Sequence, residues 1–297
     1  MKYKKYALLI PRKKFQHTRI FSLPDAFPQY KEPEICFNHM VFNESEVAKV
    51  FPKSPDTMYM TILRDVRTAI GSRLTFFSTA IDLKLSASDP FLAAEELVIN
   101  FPYYQRNPLL SIYGSNWYYF QMSSNKSIPS LETNVTVIKK EIEHLDKLFD
   151  FVVITEMFDE GLIFLKEKLN LTFDDIAYLK LNAQKNSFKK QVHTAKFEAS
   201  IKKYFAADDM IYQHFKRRFI LEVKEYGEKK LKRKVKDFQK RLLEVTKECV
   251  SHYRNIHRMG SFLSLPIIAK NASTYCHYLS KRTGEFTDEI KKIQYGS

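Results

Sequence analysis

Met60-Thr-Ile-Leu-Arg64-Asp-Val-Arg-Thr-Ala-Ile-Gly-Ser72 is the stretch that decides how this chain is read. Met58–Leu63 is a short apolar run with a β-branched residue, the pattern of a buried strand. A helical pattern begins at once and runs over Asp65–Ala80. Arg64 therefore stands where a strand ends and a helix starts. In open α/β folds, ligands bind at this carboxyl edge of the sheet. Ser72 lies about two turns into the helix. An arginine and a serine so placed can grip one phosphate, the guanidinium as a fork and the hydroxyl as a neutral donor. The Arg-Asp pair also fits a plainer role, a local ion pair with a helix cap.

Three more runs read as buried strands: Tyr6–Ile10, Ile35–Met40 and Phe151–Thr155. Helical patterns lie between and after them, over Glu44–Phe51, Asp89–Phe101, Val137–Phe149, Phe158–Leu169 and Phe173–Leu181. Asp89 followed by Pro90 is a helix-start signature. Strands alternating with helices predict an α/β fold, a parallel sheet covered on both faces. The character changes near residue 205. Tyr212, Phe215, Phe219, Val223 and Tyr226 form a helical stripe, and Leu231, Val235, Phe238, Leu242 and Val245 continue it. The division expected is an α/β core over residues 1–204 and a helical carboxy-terminal extension, packed on the core, over 205–297. Gly260 and Pro266 are expected in a loop before a short helical end.

The chain has 297 residues, 44% of them hydrophobic, enough for a sizeable core. Its net charge of +14 suggests a polyanion, a phosphorylated ligand or an acidic membrane surface as partner. Much of that charge sits on the late helix, at Lys229, Lys230, Lys232, Arg233, Lys234, Lys236, Lys240 and Arg241. No aromatic platform interleaves with it, so a solvated face is favoured over a nucleic-acid grip. Only seven glycines occur, and no GxGxxG or GxxxxGK[ST] cradle is present. Cys36, Cys249 and Cys276 form no CxxC pair; they allow one disulfide or three free thiols, and no metal site is expected. Five N-x-[ST] sequons, at Asn43, Asn125, Asn134, Asn170 and Asn271, lean towards a secretory route. No signal peptide or run of roughly 18 apolar residues accompanies them. That conflict predicts a missing amino terminus.

Several blocks carry a resemblance. A strand, Leu-Arg-Asp and a serine eight residues after the arginine resemble the 3′-phosphate-binding segment of sulfotransferases, which use 3′-phosphoadenosine 5′-phosphosulfate (PAPS). Cys36-Phe-Asn-His39-Met-Val-Phe-Asn43 resembles the Cys-x-His-Met-Arg-Phe-Asn segment of the galactose-3-O-sulfotransferase family. Arg106-Asn-Pro-Leu-Leu-Ser-Ile-Tyr-Gly114 takes the place of that family's Arg-Asn-x-x-x-Phe-Asp-Leu-Gly. Thr155-Glu156-Met-Phe-Asp159-Glu-Gly-Leu is similar to its Thr-Glu-Tyr-Phe-Asp-Glu-Ser-Leu. Asp174-Asp-Ile-Ala-Tyr178 and Asp208-Asp-Met-Ile-Tyr212-Gln-His214-Phe continue the order. The blocks are collinear from about Tyr6 to Cys249. Val66 replaces the family's proline after Arg-Asp, and Phe215-Lys-Arg-Arg-Phe-Ile220 replaces its Phe-Asn-x-Thr-Phe-Trp.

The resemblance implies a three-layer, P-loop-like sulfotransferase fold with a central parallel sheet, here lacking its first strand and the Lys-Thr phosphosulfate loop. It implies PAPS as co-substrate, no metal, and transfer of sulfate to the 3-hydroxyl of a terminal galactose on a galactosylceramide-like glycolipid or a glycan. Arg64 and Ser72 would hold the 3′-phosphate of PAPS, His39 would be the base, and Glu156 and Asp159 would touch the sugar. Glu156 and Asp159 could equally cap the helix that follows them, and His214 is expected to be structural. The setting implied is the lumenal side of the Golgi membrane, through an anchor absent from this chain, with a possible homodimer and no nucleic-acid partner. The alternatives are a catalytically inactive relative that binds glycans or partners, and a basic helical module that binds nucleic acid.

Overall fold

Helices α1 (Glu44–Val47), α2 (Val66–Phe77), α3 (Thr79–Asp82), α4 (Pro90–Ile99), α5 (Phe101–Tyr104) and α6 (Trp117–Met122) precede the long α7 (Val135–Leu148), with strand β1 (Met60–Leu63) between α1 and α2. Strand β2 (Phe151–Ile154) follows, then a 3-10 turn (Thr155–Met157), α8 (Phe158–Lys168), α9 (Phe173–Ile176) and a two-residue strand β3 (Ala183–Gln184). The rest is α10 (Ala195–Tyr204), α11 (Ala206–Tyr226), α12 (Glu228–Cys249), the hairpin β4 (Val250–Arg258) and β5 (Ser261–Ile268), and α13 (Thr274–Ser280). This computed structural model describes residues 41–77, 79–85, 89–107, 116–123, 134–180, 183–184, 193–258 and 261–282, with short pieces at 284–286, 288–289 and 292. The strands expected over 6–10 and 35–40 lie outside the described residues, as does His39.

The described residues are mostly helical. β1 and β2 pair in parallel, in register from Met60↔Phe151 to Leu63↔Ile154. All four residues of β2 are buried, which is why Phe151-Val-Val-Ile reads as an unbroken apolar run rather than an alternation. β2 sits at the centre of the main core, packed by Ile138, Ile142 and Leu145 of α7, Ile163 and Phe164 of α8, Phe215 and Phe219 of α11 and Phe238 of α12. A Cβ at Gly161 would stand 2.7 Å from Val153 Cγ1, so the glycine lets α8 lie close on β2. A second core joins α2, α4, α5 and α10 through Ile70, Leu74, Leu97, Phe101 and Phe197. Tyr118 of α6 packs against both.

Local chemistry places the helix ends. Asp89 caps α4 ahead of Pro90 by accepting from the Phe91 and Leu92 N–H groups, and Asn134 caps α7 in the same manner. The late helical stripe is broken once, at Gly227, whose φ of +94° only glycine adopts without strain. α12 then runs antiparallel along α8. Gln239 donates to Asp159 at the start of α8, and Lys234 pairs with Glu167 near its end.

Two expectations are corrected. Phe173–Leu181 is helical only to Ile176; a Thr172–Asp175 capping box starts the turn, and the chain is extended from Ala177. Pro266 lies in β5, opposite Tyr253 of β4, and not in a loop, so the carboxy-terminal part is not wholly helical; Gly260 lies outside the described residues. Val250, Tyr253, Ile256, Ile267 and Ile268 are β-forming residues, and Pro266, although on the middle strand of the order β3-β5-β4, lies beyond Leu263 and Ser264, the two residues that β3 pairs. A Cys249–Cys276 disulfide closes this hairpin at its base, and both cysteines are buried with Val245 and Leu179. One bridge forms, as the cysteine count allowed, and Cys36 lies outside the described residues.

Candidate active site

Beyond the pair Leu63↔Ile154 the ladder stops, and the backbone of residues 64 and 65 needs other partners. Side chains supply them. The Tyr118 hydroxyl donates to the Arg64 carbonyl at 2.9 Å and accepts from the Arg64 N–H at 3.3 Å. One carboxylate oxygen of Glu156 accepts from the Asp65 N–H at 2.9 Å, and the other accepts from the Tyr212 hydroxyl at 3.2 Å. Thr155 Oγ1 donates to the Leu63 carbonyl at 3.0 Å. The carboxyl edges of β1 and β2 are thus stitched by residues of α6, the 3-10 turn and α11. Burial pushes the Tyr118 phenol up to about 12 and raises Tyr212 too, the latter helped by the Glu156 charge. Both phenols stay protonated donors.

Arg64 Nε donates to Thr68 Oγ1 at 3.0 Å, and Thr68 Oγ1 donates to the Asp65 carbonyl at 3.1 Å. Thr68 lies four residues after Arg64, and Ser72 four further on; this spacing puts Thr68 and Ser72 on one face of α2, one turn apart. The terminal nitrogens of Arg64 make no hydrogen bond or ion pair with a described residue. The guanidinium is steered along α2 at its root and keeps its fork open. Ser72 is half-buried and makes no hydrogen bond to Arg64 among the described residues.

Arg67 is the reverse case. Its Nε and Nη2 bind Glu198 of α10 bidentately at 2.8 and 2.7 Å, and Nη1 reaches Asp209 of α11 at 2.8 Å and Asp65 at 3.4 Å. The Glu198 hydrogen bonds raise its pKa further, and in return they hold the Glu198 carboxyl below its usual range. Asp65 is therefore an ion pair and turn cap, since its carboxylate also accepts from the Arg67 N–H.

Glu156 does not cap α8; it reaches across to the Asp65 N–H between β1 and α2. Asp159 sits apart from that edge cluster, accepting from Tyr178 at 2.9 Å and from Gln239 at 2.8 Å. His214 pairs with Asp146 at 3.0 Å, beside Arg218 on the same carboxylate. Of the sequons, Asn170 and Asn271 are exposed in turns, Asn134 caps α7, Asn43 accepts from Ser45 at 2.9 Å, and Asn125 lies outside the described residues. Sequence reasoning assigned no role to Tyr118 or Thr68. Thr68 had a usable signal, its position midway between Arg64 and Ser72 at helical spacing. Tyr118, in an aromatic run on a six-residue helix, had none.

No group of three or more His, Cys, Asp or Glu residues among the described ones could hold a metal ion. No described helix is long and apolar enough to cross a membrane.

A model of the galactose-3-O-sulfotransferase family matches residues 5–260. The chain belongs to that family. Among curated proteins, mouse galactose-3-O-sulfotransferase 2 is 26% identical over 230 residues, covering 76% of this chain and 55% of the relative. Human galactosylceramide sulfotransferase is 27% identical over 237 residues, covering 78% and 54%. Human galactose-3-O-sulfotransferase 3 is 25% identical over 239 residues, covering 79% and 54%. The chain spans about half the length of the curated relatives it matches. No solved structure matches it. The family match ends at residue 260, between the two hairpin strands, so β5 and α13 lie beyond it while Cys249 lies within.

Proposed function

We propose that the chain is the nucleotide- and galactose-binding part of a PAPS-dependent galactose 3-O-sulfotransferase. The observation that carries this reading is the open guanidinium of Arg64 at the carboxyl edge of a parallel pair, in a chain of this family. A cation with a fixed root and an unpaired fork is built for a dianionic oxygen cluster such as a ribose 3′-phosphate. Ser72, on the Thr68 face of α2, adds a neutral donor. In the transfer, the galactose 3-oxygen forms a bond to the sulfur of PAPS, the bond from sulfur to the bridging phosphate oxygen breaks, and adenosine 3′,5′-bisphosphate leaves. The hydroxyl proton passes to a base, for which His39 is the residue implied by the family resemblance. The acceptor is a galactosyl glycolipid of galactosylceramide type, the substrate named for one relative, or a galactose-terminated glycan. Glu156 stands at the same edge as Arg64, and Asp159 one helical turn away; both are assigned to the acceptor side.

A lumenal Golgi setting, reached through a membrane anchor, accords with the Cys249–Cys276 disulfide and with exposed sequons at Asn170 and Asn271. A homodimer is compatible with this setting. Calorimetric titration with adenosine 3′,5′-bisphosphate tests the reading. Arg64→Ala and Ser72→Ala are expected to weaken binding, Arg64→Ala more. Unchanged affinity in both variants rejects the site. Labelled sulfate transfer from PAPS to galactosylceramide then separates a working enzyme from a relative that only binds.

A further inference from the structure

We infer that Tyr118 is a positioning residue for nucleotide binding: its hydroxyl fixes the backbone of Arg64 and thereby aims the guanidinium. The inference rests on the assignment of Arg64 to the 3′-phosphate and names a residue that the collinear blocks leave out.

Arg64 is the first residue past the β1–β2 ladder, where its N–H and C=O have no strand partner. One phenol oxygen satisfies both, at 3.3 and 2.9 Å. A single group that takes the donor and the acceptor of one residue fixes the peptide planes on both sides of it. The Cα–Cβ direction of Arg64 then follows, and Thr68 steers the rest of the side chain. The phenol itself is held firmly. Its ring lies between the two hydrophobic cores. Its helix, α6, is locked to α11 by reciprocal caps. Asn116 Oδ1 accepts from the N–H groups of Ala207 and Asp208 at 3.0 and 3.2 Å, and the Asp208 carboxylate accepts from the Tyr119 N–H at 2.9 Å. Tyr118 thus transmits the rigidity of α11 to the residue that carries the charge. A binding group held within a fraction of an ångström by its supporting shell loses little conformational freedom when ligand arrives.

The test uses Tyr118→Phe, which removes the oxygen and keeps the ring. Adenosine 3′,5′-bisphosphate is expected to bind about tenfold more weakly to Tyr118→Phe, the cost of freeing one buried pair of hydrogen bonds. Adenosine 5′-monophosphate, which lacks the 3′-phosphate, is expected to bind the variant and the parent alike. In an Arg64→Ala background, Tyr118→Phe is expected to add no further loss for the bisphosphate, because the group it aims is gone. Tyr104→Phe, which deletes a phenol bonded to Glu96 on α4, serves as a control and should leave both affinities unchanged. Equal weakening for both nucleotides, or full additivity with Arg64→Ala, overturns the inference and leaves Tyr118 a general structural residue. Tyr118→Phe with parental bisphosphate affinity overturns it as well, while a loss in Arg64→Ala alone keeps the site itself. An Arg64→Ala variant with parental affinity removes the site, and this inference with it.

Discussion

The carboxyl edge of the β1–β2 pair and the outer face of α12 both carry basic charge, and they hold it in opposite ways. At the edge, Arg64 and Arg67 are each fixed by named contacts: one rooted on Thr68 with its fork open, the other enclosed by Glu198, Asp209 and Asp65. Along α12, Lys229, Lys230, Lys232, Arg233, Lys236 and Lys240 make no ion pair with a described residue, while Lys234 and Arg241 are tied to acidic partners. Net charge counts all of these alike. A binding cation is distinguished by a backbone and a root held from several sides, and by terminal nitrogens that nothing else claims.

The sharpest way to break the comparison is to remove each arginine of the edge in turn. Arg67→Met is expected to destabilise the fold by about 3 kcal/mol or more, because three carboxylates that shared one mostly buried guanidinium are left facing each other. Arg64→Met should leave stability almost unchanged, since little but a Thr68 hydrogen bond is lost. Chemical denaturation of both variants measures the difference. Equal losses would mean that Arg64 is as structural as Arg67.

The bridge at the far end of α12 supplies the next largest effect. Cys276→Ser frees the Cys249–Cys276 loop, whose 27-residue separation predicts a loss of about 2–4 kcal/mol. Reduction of the parent protein should reproduce that loss. Adenosine 3′,5′-bisphosphate affinity should stay at the parental value, because the described hairpin residues pack chiefly on β3, α12 and α13 rather than on the β1–β2 edge. A parallel fall in affinity would join the two regions into one unit and erase the contrast.

Next in size comes the nucleotide itself. Arg64→Ala is expected to cost about 10- to 100-fold in bisphosphate affinity, the range of a lost charge-assisted bidentate contact. Ser72→Ala should cost less than tenfold, as a neutral donor does. If the order were reversed, the phosphate would lie deeper along α2 than the Arg64 fork reaches.

How much of this was legible beforehand follows from where the information sits. The strand–Arg–helix junction, the Asp89 cap and the stripes of α11 and α12 are local patterns of period and capping, and each is found where the sequence places it. The hairpin at 250–268 was missed because a proline and a glycine read as loop punctuation outweighed the β-forming residues around them. The edge contacts were missed for a different reason. Glu156 to Asp65 and Tyr118 to Arg64 span 91 and 54 residues, and no spacing rule brings such pairs together. Asp159 was grouped with Glu156 because both follow the end of the strand at 151–155 in one block of the family resemblance. Glu156 lies on the 3-10 turn and Asp159 in the first turn of α8, and their carboxylates meet different elements.

The smallest expected effect sharpens the comparison from the other side. A triple Lys229→Gln, Lys232→Gln, Lys236→Gln variant removes three exposed charges from α12 and breaks no ion pair with a described residue. Its stability should stay within about 0.5 kcal/mol of the parent, as for surface substitutions away from specific contacts. Pairing of Lys234 with Glu167 and of Gln239 with Asp159 lays α12 against α8 with Gly227 at the end away from the sheet edge, so these lysines stand on the side remote from Arg64. At a Debye length of about 10 Å their field is largely screened there. Bisphosphate affinity in about 0.1 M salt should therefore shift by less than about twofold. A large drop that disappears on adding salt would make the α12 face part of how nucleotide is gathered, and the division of labour between the two regions would fail.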